Sequence, residues 1–114
     1  MDVLHLFRAG TQPAELAGVP ANRLAYAQFC DAVAGPPAPA DLPAEARSTR
    51  LHLGEGVIPL HDILDVLPEH TPLVIETPVA AEAAWPTARR QQSAAADAQA
   101  FFQRHLARKG TLAA

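Results

Sequence analysis

Leu73-Val74-Ile75 runs into Glu76 without a polar break, and Thr77-Pro78 stops it. A nearly all-apolar run of strand length suits a parallel strand covered on both faces. Parallel neighbours cannot be joined by a tight hairpin; they need crossover segments, usually helices. This one run therefore calls for other strands and for helices between them, and it sets α/β as the expected class.

The rest of the chain offers both. Val3-Leu4-His5-Leu6-Phe7 and Leu24-Ala25-Tyr26-Ala27-Gln28-Phe29-Cys30 are two more apolar runs of strand length, ending in Arg8-Ala9-Gly10 and Asp31. After Gly10, Thr11 is the expected cap of a short helix with Pro13 in its first turn and Leu16 facing inward, stopped by Gly18 and Pro20. Between Pro59 and Pro68, Leu60, Ile63, Leu64 and Leu67 repeat at the spacing of a one-sided helix. A long final helix is expected from about Pro86-Thr87 to Arg108, with Ala94, Ala98, Phe101, Phe102 and Leu106 inward and Gly110 as its C-cap residue. Ala32 to Ser48 holds Pro36, Pro37, Pro39 and Pro43, a density that reads as a long loop, either a lid or a surface excursion. The expectation is one domain, residues 1–114, of three parallel βα units. So small a parallel sheet leaves two open edges, which favours self-association.

Charge and composition narrow the function classes. Nine Lys and Arg against twelve Asp and Glu leave a net charge of −3, with no basic stripe for nucleic acid. No apolar run approaches the ~18 residues of a membrane span, and the start has no secretory pattern. The single cysteine cannot form an internal disulfide and fits a reducing, cytoplasmic setting.

In parallel α/β sheets ligands sit at the C-terminal ends of strands. There the sequence places Asp2, His5 and Arg8 on the first run, Gln28 and Asp31 on the second, and Glu76 on the third. Glu76 is the sharpest of these, because a carboxylate ending a buried strand is costly unless it meets a metal, another cation or solvent. Gln28 is a ligand or a satisfied buried amide. Asp31 is a ligand or a turn-former. Asp2 and His5, three apart, converge only if the chain bends. Gly54-Glu55-Gly56 is a tight turn that allows close backbone approach, with Arg47 and Arg50 upstream either meeting an anion or solvated.

Taken in order, Asp2-Val3-Leu4-His5, Arg8-Ala9-Gly10, Tyr26 to Ala32, Leu53-Gly54-Glu55-Gly56-Val57-Ile58-Pro59-Leu60 and Val74-Ile75-Glu76-Thr77-Pro78 resemble the C-terminal part of the sugar phosphate isomerase/epimerase family, with its xylose-isomerase-like TIM barrel. The resemblance runs from about residue 2 to 108. It implies a partial TIM barrel, with the three strands as the sixth to eighth. It also implies a divalent metal, Mn or Mg before Zn or Co, held by Asp2, Gln28 and Glu76. Gln28 stands where the family often has a histidine. Glu76 is implied as ligand and acid/base, with His5 beside it on the substrate side. Arg8, Asp31, Arg50 and Glu55 are the implied substrate contacts. The family's first metal-binding Glu has no counterpart here, because its strand would precede residue 1, and a typical barrel needs roughly 250 residues.

The implied reaction is proton transfer next to the carbonyl of a small sugar or sugar phosphate. With one good proton-handling carboxylate, Glu76, the chain is expected to be inactive without a missing N-terminal half. A non-catalytic, self-associating half-barrel is the alternative. A repair role on nucleic acid, which this barrel also serves, is disfavoured by the charge.

Overall fold

A computed structural model describes the backbone of residues 1–113 and the side chains of residues 1–110. Helix α1 (Val3–Arg8) is followed by α2 (Pro13–Leu16), β1 (Ala27–Phe29), α3 (Leu42–Ser48), α4 (Leu60–Val66), β2 (Leu73–Ile75) and α5 (Thr87–Ala113). The fold is mixed helix and strand. β1 and β2 pair in parallel, with Ala27, Gln28 and Phe29 opposite Leu73, Val74 and Ile75. The crossover between them carries α3 and α4, as parallel pairing requires.

The first expected strand is a helix. Only Asp2 is extended, and it bridges Gln28 in parallel before the chain turns into α1. Both ends of α1 show why. The Asp2 carboxylate accepts the Leu4 N–H at 3.0 Å, as an N-cap does. At the other end Gly10 takes φ +81°, its N–H reaches Phe7 O at 3.0 Å and the Thr11 N–H reaches Leu6 O at 3.0 Å. That pattern is a Schellman motif, and it needs a residue free to adopt positive φ. Val3 and Leu4 are buried against β1, while His5 faces solvent. Capping decided a segment whose apolar content suits either structure.

Other expectations shift in register or length. The second run is extended only over Ala27–Phe29, because a 3₁₀ turn occupies Ala21–Arg23 and Tyr26 is exposed. β2 is open on one face, with Val74 exposed and Leu73 and Ile75 half-buried. The cap before α2 is Gln12, whose N–H meets Glu15 Oε2 at 2.6 Å, and not Thr11. The proline-rich stretch is irregular only at first; a 3₁₀ turn at Pro39–Asp41 leads into α3, whose first turn accepts Pro43 because the orphan N–H there has no helical partner to lose. On α5, Ala98, Phe101 and His105 are buried and Leu106 is 67% exposed. The inward stripe continues by four residues from Phe101 to His105, which rotates Leu106 away. Gly110 lies inside α5 and does not end it.

The core gathers Val3 and Leu4 of α1, Ala27 and Phe29 of β1, Leu60 and Ile63 of α4, and Ala98 and Phe101 of α5, with Leu53 and Ile58 from the loop before α4. The β1 and β2 ends therefore sit between α1, α3 and the start of α5.

Candidate functional site

Three parallel backbone segments lie side by side: Asp2 against Gln28, and Gln28 against Val74. Their C-terminal ends face an open cleft of about 750 Å³. Asp2, His5, Gln28, Arg50 and Glu76 line it, with Arg47 on α3 and Thr87, Arg90 and Gln91 in the first turns of α5. Six charged or polar residues singled out in the sequence, Arg47 among them, thus share one cavity.

The bend after Asp2 explains how Asp2 and His5 meet. Helical spacing puts them on one side, with His5 Nε2 3.6 Å from Asp2 Oδ2. Arg50 is the centre of the cluster, and its side chain is only 4% exposed. Nη1 donates to Asp2 Oδ1 at 3.0 Å, and Nη2 lies 3.0 Å from Asp2 Oδ2. Nε donates to Ala46 O at 2.7 Å, and Nη1 reaches Cys30 Sγ at 3.5 Å and Glu76 Oε2 at 3.8 Å. Burial pulls the Arg50 pKa down, but the hydrogen bonds to Asp2 and Cys30 outweigh it and the guanidinium is held more firmly protonated than usual. Burial pushes the Cys30 thiol up to about 11, which makes it an inert packing group. The Glu76 side chain is 43% exposed, so its carboxylate reaches both the cleft and Arg50.

Arg8, Asp31 and Glu55 do not line this cleft. Arg8 forms a two-point pair with Glu45, at 2.9 Å and 2.6 Å. Asp31 is buried at the loop before α4. Its Oδ1 accepts the Ala32 and Ile58 N–H groups and its Oδ2 the Gly54 N–H, all at 3.0 Å. Asp31 thereby staples the Gly54-Glu55-Gly56 turn to the end of β1. A Cβ on Gly56 would come 2.2 Å from Ala32 O and 2.5 Å from Asp31 Oδ1, so the close approach foreseen at this glycine is to the chain's own backbone. Glu55 is exposed at the tip.

Sequence reasoning missed the α5 wall of the cleft. Thr87, Arg90 and Gln91 recur on one side of the first turns, but nothing in their types marks them apart from an ordinary solvated face. It also missed a buried cluster outside the cleft lining. His52 Nε2 lies 2.8 Å from Glu82 Oε2, and Ser93 Oγ donates to the same oxygen at 2.8 Å. Burial opposes charge on Glu82, but its hydrogen bonds to His52 and Ser93 win and lower its pKa. Positions 52, 82 and 93 have no sequence spacing that could have announced them. Serine and carboxylate meet the same ring nitrogen, so this is not a nucleophile–base–orienter relay, which needs the carboxylate on the other one.

The donor set does not suit a divalent metal. Among the described residues no group of three or more His, Cys, Asp or Glu is placed to hold one. Both Asp2 oxygens are engaged by Arg50, and the same guanidinium approaches Glu76. Asp2, Gln28 and Glu76 as arranged do not fit a metal ion, because a cation already lies between the two carboxylates.

Comparison with protein-family models, with curated proteins and with solved structures finds no match to this chain. Among the described residues, no helix is long and apolar enough to cross a membrane.

Proposed function

We propose that the cleft is the strand-end site of an isomerase or epimerase that moves a proton next to the carbonyl of a small sugar or sugar phosphate, on a partial TIM barrel working in the cytoplasm. One observation carries the reading: Asp2, Gln28 and Glu76, on or just after three parallel backbone segments, line one cavity with His5 of helix α1. Thr77 supports it. The residue lines the same cavity and its hydroxyl is buried without a hydrogen-bond partner, a state that costs about 1–3 kcal/mol unless a partner meets it.

The chemistry needs a base, a group to return the proton, and positive charge for the enediolate oxygen that develops. Glu76 is the base, half-exposed and open to a ligand. His5, with its side chain 66% exposed at the rim, is the group that returns the proton. Arg50 is the fixed positive charge nearest Glu76.

The test is ligand binding by the full chain, read by NMR chemical shifts at Gln28, Glu76 and Thr77. A ketose phosphate is expected to shift these three and to leave the Asp31 loop unmoved. Shifts scattered over the surface, or none at millimolar ligand, would refute the reading.

A second reading rests on the sheet. Val74 is 44% exposed on β2, and β2 has no strand on its outer side among the described residues. A second copy covering that edge makes the chain a self-associating, non-catalytic half-barrel. Sedimentation of wild type against Val74→Lys separates the two, since only this reading predicts a dimer that the lysine disrupts.

A further inference from the structure

We propose that Arg50 is the resident cation of the cleft, holding Asp2 and Glu76 together and shutting divalent metals out of the place between them.

Both oxygens of the Asp2 carboxylate already face donors. Asp2 Oδ1 accepts the Leu4 N–H and Arg50 Nη1, each at 3.0 Å. Asp2 Oδ2 faces Arg50 Nη2 at 3.0 Å and His5 at 3.6 Å. An ion binding Asp2 would have to replace one of these donors and would then sit beside a guanidinium that cannot shed its proton. Two cations sharing one carboxylate repel most where water is scarce, and the Arg50 side chain is almost wholly buried.

Arg50 cannot easily step aside. Ala46 O holds its Nε at 2.7 Å, and Cys30 Sγ lies 3.5 Å from Nη1. With the bonds of Nη1 and Nη2 to Asp2, these contacts engage all three guanidinium nitrogens and use the planar fork of arginine, which lysine lacks. The cleft therefore carries its positive charge covalently, and chelators have nothing to remove. Glu76, 3.8 Å from Nη1 and half-exposed, keeps a free edge for a ligand. The inference rests on the cleft being the ligand site proposed above, but its test involves no sugar.

The experiment titrates Mn²⁺ alone into the full chain and reads free Mn²⁺ by electron paramagnetic resonance. Wild type and Glu76→Gln are expected to bind weakly and alike. Arg50→Gln is expected to gain about tenfold or more in affinity, a gain lost in Arg50→Gln/Glu76→Gln, while Arg50→Lys stays weak. Micromolar binding by wild type that Glu76→Gln weakens would overturn the proposal. So would a folded Arg50→Gln chain with no gain. If Arg50→Gln fails to fold, as judged by circular dichroism, wild type against Glu76→Gln decides alone. A chain that excludes Mn²⁺ as stated yet ignores ketose phosphate leaves Arg50 assigned and sinks only the sugar reading. A chain that binds both sinks only the Arg50 assignment.

Discussion

Two buried arginine–carboxylate pairs lie close together in this molecule, and they are built differently. Arg8 and Glu45 meet at two points, with side chains 8% and 7% exposed, and Arg8 Nη2 also donates to Val33 O at 3.0 Å. One positive and one negative charge cancel, and nothing is left over. Arg50 and Asp2 are equally buried, but a second carboxylate, Glu76, stands 3.8 Å away with a face in the cleft. Burial alone does not mark a site. The difference lies in stoichiometry: the balanced pair pins α1 to α3, whereas the unbalanced trio leaves one charge available to something outside the protein.

The largest expected effect comes from unbalancing the closed pair. Glu45→Ala leaves Arg8 buried and unpaired and should cost about 3–5 kcal/mol in urea unfolding. Replacing both partners, as in Arg8→Met/Glu45→Leu, should recover most of that loss, because an apolar pair needs no desolvation of charge. Asp2→Ala should cost less, about 2–3 kcal/mol, even though it also removes an N-cap. Glu76 remains close enough to compensate Arg50. If Asp2→Ala proves as damaging as Glu45→Ala, Glu76 gives no compensation and the trio is a simple pair.

How far the sequence reveals this contrast depends on what each residue signals locally. Glu76 was legible because a carboxylate ending an apolar run is locally anomalous, and the parallel pairing of β1 and β2 followed from the same run. Arg50 was legible only as one of two arginines upstream of a turn; its burial depends on Asp2, forty-eight positions away. The failure at Val3–Phe7 is instructive. Five apolar-rich residues suit a strand by period, but Asp2 before them and Gly10 after them are helix caps, and in a six-residue helix the caps outweigh the period. Glu45 left no trace, because a glutamate in a short amphipathic helix is ordinarily solvated. Asp31 was read as a ligand or turn-former, whereas its three N–H partners are fixed only when the Gly54–Gly56 turn closes onto β1.

Acid sharpens the comparison from another side, because arginine pairs keep their cation at every ordinary pH and histidine contacts do not. His61 Nδ1 and His105 Nδ1 lie 2.8 Å apart between α4 and α5, so one ring must offer a lone pair. Burial, with Arg108 and neighbouring positive groups, lowers both below 6.5, against the pull of Asp65. The unfolded chain then binds more protons than the folded one just below pH 6.5. The contribution of this contact is intact above pH 6.5 and is lost as the pH falls through the lowered values. Glu82, held below 4.5, keeps its contribution above pH 4.5 and loses it only under stronger acid. The urea midpoint should therefore decline in two separate stages from pH 7 to 3, the upper stage smaller in His61→Phe, where His105 alone keeps a lowered pKa. A single decline below pH 4.5 would mean that the histidine contact contributes nothing.

The smallest expected effect on stability is the most telling for function. Glu76→Gln keeps the shape of a half-exposed side chain and leaves Arg50 paired with Asp2, so stability should change by no more than about 0.5 kcal/mol. The proposed proton transfer, by contrast, has no other half-exposed carboxylate at the strand ends to use among the described residues. In an active protein containing this chain, deuterium exchange next to the substrate carbonyl should be lost while ligand binding persists. The same substitution made at Glu45 should give the opposite pattern, a weakened fold with exchange retained in the folded fraction. If Glu76→Gln instead unfolds the chain, the trio is as closed as the Arg8–Glu45 pair, and its third charge serves the fold and not a ligand.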